Sequence, residues 1–110
     1  MHLPELAFAA VDWSVCPVED HPGAEGTSRW QTHESNGLRT RLVEYSPGYV
    51  ADHWCDLGHV FLVLEGEVVI RLRDDRQFTM TEMQGFCVSD NGDAAHLVLS
   101  PKGARVFIVD

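Results

Sequence analysis

The sequence predicts an all-β fold built as one domain, and three observations carry that prediction. Turn signals recur roughly every eight to twelve residues, and the runs between them are short and often alternate apolar with polar residues. No segment holds a helical apolar period bounded by caps at both ends. At 110 residues the chain fills one core and leaves no room for a second. A sheet of many short strands must hide its edges, and closure into a barrel does so most completely.

The elements follow in order. Residues 1–27 read as an N-terminal arm and 28–110 as the barrel. Within the arm, Val11-Asp-Trp-Ser-Val15 reads as an edge strand, and Cys16 to Gly26 is rich in breakers and reads as a loop. Arg29–Ser35 and Leu38–Tyr45 flank Asn36-Gly37, the dipeptide that accepts positive φ at both corners of a type I′ hairpin. Ser46-Pro-Gly48 turns the chain into a strand over Val50–Cys55. A break at Asp56-Leu-Gly58 precedes a strand from His59 to Leu64, and Glu65-Gly66 reads as a turn. Glu67–Arg73 then alternates Val68, Ile70 and Leu72 with Val69, Arg71 and Arg73. Strands at Phe78–Thr81, Phe86–Val88, His96–Leu99 and Ala104–Val109 complete the set, separated by turns at Asp74–Arg76, Asp90–Asp93 and Ser100–Gly103.

Composition narrows the function classes. A formal charge of −9 argues against nucleic acid, since phosphate binding needs clustered Lys and Arg. Apolar runs such as Val60-Phe-Leu-Val-Leu64 are too short to cross a bilayer, and no membrane partner is expected. The first ten residues lack the basic region of a signal peptide. Cys16, Cys55 and Cys87 show no disulfide-framework spacing and read as reduced thiols in a cytoplasmic protein.

One stretch carries chemistry: Gly48-Tyr-Val-Ala-Asp-His53-Trp-Cys55-Asp-Leu-Gly-His59. On a strand, His53 and Cys55 project to one face while Asp52 and Trp54 face the other. The chain then reverses, so that His59 begins the neighbouring strand and faces them. Two imidazoles and a thiolate so placed bind a metal, and the soft sulfur favours zinc, copper(I) or iron over magnesium or calcium.

Here the sequence resembles the cupin superfamily. Gly48 opens the first cupin motif, His53 and Cys55 stand at its two His positions, His59 at its Glu, and Gly66 at its closing Gly. Gly85 and His96 match the ends of the second motif, with Asn91 and Asp93 where Pro and Gly are usual. The departures are a Cys for a His, a His for the Glu, and four residues instead of five between Gly48 and His53. Asp52-His-Trp-Cys55, with Tyr45-Ser-Pro-Gly-Tyr49 and the ending Phe107-Ile-Val-Asp110, is similar to the small DHCW-motif cupins. The resemblance implies a cupin jelly-roll barrel, or double-stranded β-helix. It also implies one divalent transition metal on His53, Cys55, His59 and His96, with zinc preferred and iron or nickel as alternatives, and a homodimer.

The remaining candidates read more plainly. Trp30, Tyr45 and Phe61, with His33, are candidates for a small-molecule pocket, although His33 suits a surface strand position better. Arg39 and Arg41 share one strand face and read as a solvated surface, with carboxylate steering as the alternative. Cys87 reads as core filling, Cys16 as inert, His21 as a loop residue and His2 as part of the terminus. Asp52 is placed to hydrogen-bond a ligating imidazole, against its strand parity. A nucleophilic Cys55 ranks below metal ligation because neither a separate base nor an orienting group stands out.

Beside a structural zinc site in a barrel whose activity lies elsewhere, two functions remain open. One is a metal-dependent enzyme acting on a small organic molecule, of dioxygenase, isomerase or cyclase type. The other is a non-catalytic cupin that binds or senses a small molecule or metal. Fold does not choose between them.

Overall fold

The structure is a computed structural model and describes residues 3–110; His2 lies outside the described residues. The strands are β1 (Glu19–Pro22), β2 (Thr27–Ser35), β3 (Leu38–Tyr45), β4 (Tyr49–Val50), β5 (His59–Leu72), β6 (Gln77–Thr81), β7 (Gly85–Val88), β8 (His96–Ser100) and β9 (Ala104–Val109). They run β1-β2-β3-β9-β5-β8-β4, with β6 and β7 also paired to β5, and every pairing is antiparallel. The all-β expectation holds.

β5 makes the barrel. Its first half pairs with β7 and β9, and its second half with β6 and β8, so a single strand belongs to both sheets. The crossing point is a bulge, where Val63 pairs with Val106 but Glu65 with Arg105. One extra residue on β5 reverses which side chains face inward. Before the bulge His59, Phe61 and Val63 are buried; after it Val68 and Ile70 are. Glu65-Gly66 is therefore not the turn that the sequence predicts. Gly66 bends a continuous strand at φ +82°, where any Cβ would collide with the carbonyl oxygen of Gly103, just before β9.

The core forms between the two sheets from Val43, Tyr45, Phe61, Val63, Val68, Ile70, Val106 and Ile108. Asn36 and Gly37, at φ 48° and 81°, make the expected hairpin between β2 and β3.

Three local expectations fail. The edge strand is β1, inside the segment read as a loop, while Val11–Val15 holds a turn in which Asp12 accepts from the Ser14 and Val15 amides. Pro22 fits β1 because an edge strand spares it a ladder donor. His21 lies on β1, stacked on Trp30 with ring centroids 3.8 Å apart, and is no loop residue. Cys87 is exposed, because on β7 it points opposite to Phe86 and Val88. The arm lies on the outer face of β2, β3 and β9, where Trp13 meets Phe107 edge-on and Gln31 donates to the Trp13 and Cys16 carbonyls.

Candidate metal centre

Strand register brings three donors together. His59 opens β5 on its inward face, and His96 opens β8. Cys55 forms an isolated antiparallel bridge with His96, each amide donating to the other's carbonyl at 2.8 and 2.9 Å. Residues directly opposite in such a bridge project to the same face. The Cys55 Sγ and the ring nitrogens of His59 and His96 all lie within 4.8 Å of one another. Both imidazoles are buried, and Cys55 is half-buried.

The spacing suits a shared ion. Sγ of Cys55 is 3.4 Å from Nε2 of His59. Bonds of about 2.3 Å to sulfur and about 2.0 Å to nitrogen separate the two ligand atoms by roughly 3.1–3.6 Å, between octahedral and tetrahedral angles. The donor set therefore fits a zinc-like transition metal.

His53 falls outside this group. Val50 pairs with Leu99 and Cys55 with His96, so five steps of this segment span only three of β8. The two extra residues leave the sheet as a bend at Asp52-His53, and the expected strand over Val50–Cys55 shrinks to the two residues of β4. The same-face argument for His53 and Cys55 needs an unbroken strand, which this excursion removes. The His53 side chain is 75% exposed and its Nδ1 sits 2.7 Å from the Asp52 carboxylate. Asp52 does meet an imidazole, but one that stands at the rim.

Behind His59 lies Asp110, which the sequence marks only as the end of Phe107-Ile-Val-Asp110, with no role at the site. Alternation along β9 (Ala104, Val106, Ile108) carries Asp110 onto the inward face, beside Arg39 of β3 and His59 of β5. Its Oδ2 is 3.1 Å from Nδ1 of His59, off the axis of a well-aligned hydrogen bond. That leaves Nε2 directed at Cys55, an orientation carboxylates commonly impose on metal-binding imidazoles. The period-two series ending at Asp110 was visible in the sequence; its neighbours on β3 and β5 were not.

Arg39 donates to Asp110 through Nε and a terminal nitrogen, both at 3.0 Å, and Arg41 donates at 2.9 Å. Arg41 is only 5% exposed, so the expected solvated face is instead the barrel interior. Period-two alternation identified the shared face of the two arginines correctly but not which face was inward. Trp30 covers the Arg41 guanidinium at 4.4 Å. Burial alone would raise the Asp110 pKa. The contact with His59, the hydrogen bonding from Arg39 and the charges of Arg41 and Arg39 outweigh it and hold the carboxyl well below its usual range. Burial, reinforced by His59, pushes His96 down to about 4, which keeps its ring neutral and able to ligate.

Cys55, His59, His96, Arg39 and Arg41 line a cavity of about 700 Å³, counting its open mouth, together with Trp30, Tyr45, Tyr49 and Phe61, while Asp110 stands behind its wall. His33 is not among them. β2 parity turns it outward, beneath Leu6 and Val11 of the arm.

No family model and no curated protein matches the chain. Solved structures do. A predicted oxalate decarboxylase from Thermotoga maritima matches at TM-score 0.76 and 15% identity, over 92% of this chain and 96% of its own. An RmlC-like cupin from Shewanella frigidimarina matches at 0.73 and 20%, over 94% and 89%. The polyketide cyclase RemF from Streptomyces resistomycificus matches at 0.72 and 19%, over 94% and 78%. Likeness at such identities establishes architecture alone. Together with the two sheets joined through β5, it shows that this chain is a single-domain, all-β protein with the cupin fold.

Proposed function

We propose that this protein is a metal-dependent cupin acting on a small organic molecule, with Cys55, His59 and His96 as the ligands. One observation carries the reading: three donors from separate parts of the chain converge within 4.8 Å on the wall of a single open cavity. Three protein ligands are characteristic of catalytic rather than closed structural sites, because they leave a coordination position for substrate. Thiolate with two imidazoles suits zinc first, with iron or nickel as alternatives. When bound, such an ion supplies Lewis acidity toward an oxygen of the ligand.

The chain's own residues set the stage. Asp110 orients His59, and the stacked Phe61 and Phe86, with ring centroids 4.9 Å apart, form an apolar wall beside His96. The narrower kinship, with the DHCW-motif cupins, is supported by Asp52, His53, Trp54 and Cys55. Three free cysteines support a cytoplasmic setting, and exposed Leu3, Phe8 and Val15 on the arm support a homodimer.

A second reading has its own observation. Cys55, His59 and Asp110 stand in the order nucleophile, base and orienting group, at 3.4 and 3.1 Å. The base and orienting group that the sequence did not reveal are both present. Elemental mass spectrometry on untagged protein, beside Cys55→Ser and His59→Ala, separates the two. Near-stoichiometric metal, lost in both variants, supports the metal reading. Metal that is absent and cannot be restored under reducing conditions, with Cys55 alkylated rapidly by iodoacetamide, supports the thiol reading.

A further inference from the structure

We propose that the cavity selects a small organic carboxylate and that Arg39 and Arg41, rather than the metal, hold its charge. This rests on the reading of the cavity as a small-molecule site and names the class of molecule it takes.

The charge pattern is the first observation. The chain carries a formal charge of −9, yet among the described residues no Asp or Glu lines this cavity, whereas two arginines do. Among the described residues the only carboxylate paired with them is Asp110, which lies behind them and also contacts His59. Two guanidiniums against one carboxylate leave one positive charge over, in a chamber of aromatic and aliphatic walls. Water screens part of that charge at Arg39, which is about a third exposed, but Arg41 is buried, so the surplus still favours an anion at the cavity wall.

The donor inventory is the second. Two guanidiniums hold ten N–H groups between them. Asp110 takes three hydrogen bonds, two from Arg39 and one from Arg41. Nε of Arg41 is buried and has no partner, in a side chain more than nine-tenths buried. A buried unpaired donor is unfavourable in the empty protein, and an incoming carboxylate that draws the guanidinium toward itself relieves it. Trp30, which already covers Arg41, together with Tyr49 and Phe61 leaves apolar surface for the body of the ligand. The expected ligand is therefore amphiphilic: one carboxylate on a compact aromatic or aliphatic frame.

Benzoate and its neutral isostere benzamide are the probes, measured by calorimetry and by thermal shift. Wild-type protein should bind benzoate at least tenfold more tightly than benzamide. That preference should persist in metal-stripped protein and in Cys55→Ser, since the arginines do not depend on the ion. Arg39→Gln, at the more exposed of the two positions, should weaken benzoate about tenfold and leave benzamide unchanged, with Arg41→Lys as a second, charge-retaining variant. Equal binding of acid and amide, or no binding of either to folded protein, overturns the proposal. So does a preference that vanishes with the metal but survives both arginine variants, because the carboxylate would then be a metal ligand. Loss of metal in Cys55→Ser with benzoate selectivity retained leaves the metal reading and this one standing separately.

Discussion

Asp110→Asn tests the electrostatic frame behind the site, and its effect can be worked from burial. Arg41 and Asp110 side chains are each 6% accessible, so removal of the carboxylate leaves a desolvated guanidinium without its counter-charge. Breaking one partner of a buried pair typically destabilises by about 3–5 kcal/mol. Arg39 is about a third exposed, so water screens its share of the loss. Asparagine keeps the shape and one acceptor, which places the expected loss near the lower end, about 3 kcal/mol. For a domain of this size that lowers Tm by roughly 12–15 °C. Urea unfolding of metal-free protein, followed by tryptophan fluorescence, measures it without ligand linkage. The double variant Asp110→Asn with Arg41→Met should be less destabilised than the sum of the singles, because no charge is then stranded.

The pH dependence supplies an independent check. The folded Asp110 carboxyl is held below its ordinary value of 3.8, so its contribution is complete above that value and is lost as pH falls further, through the folded pKa. The gap between wild type and Asp110→Asn should therefore stay constant from about pH 5 to 8 and close below about pH 4. A loss under about 1 kcal/mol with an unchanged m-value would refute the reasoning, since Arg41 would then be reaching solvent by another route.

Other outcomes follow from the same geometry. In metal-stripped protein, His96 falls from 6.5 unfolded to about 4 folded, so stability is complete above about pH 6.5 and declines as pH drops toward 4. The expected decline is up to about 3 kcal/mol, and a slope that persists in His96→Gln assigns it elsewhere. Gly66→Ala must place a Cβ against the Gly103 carbonyl at positive φ, and should lower stability by at least about 2 kcal/mol, read as a shift in the urea midpoint; a neutral result rejects the bulge. His53→Ala should leave metal content unchanged while His96→Ala abolishes it, by elemental analysis. Metal lost from both would return His53 to the ligand set.

What the sequence determined by itself is what depends on near neighbours along the chain. Asn36-Gly37, the alternation of Val68, Ile70 and Leu72, and the turn residues report local backbone preference, and they were enough for an all-β barrel. Cys55 and His59 were legible as donors from their spacing across a predicted strand break, and His96 from the resemblance to the second cupin motif. Tertiary structure decided which of them meet. Two extra residues opposite β8 expelled His53, and a one-residue bulge let β5 keep both halves inward. Arg41, Asp110 and His59 form one cluster only because β3, β9 and β5 lie side by side, at sequence separations that no local pattern encodes. Period-two alternation tells which residues share a face, but strand order alone decides which face becomes the inside.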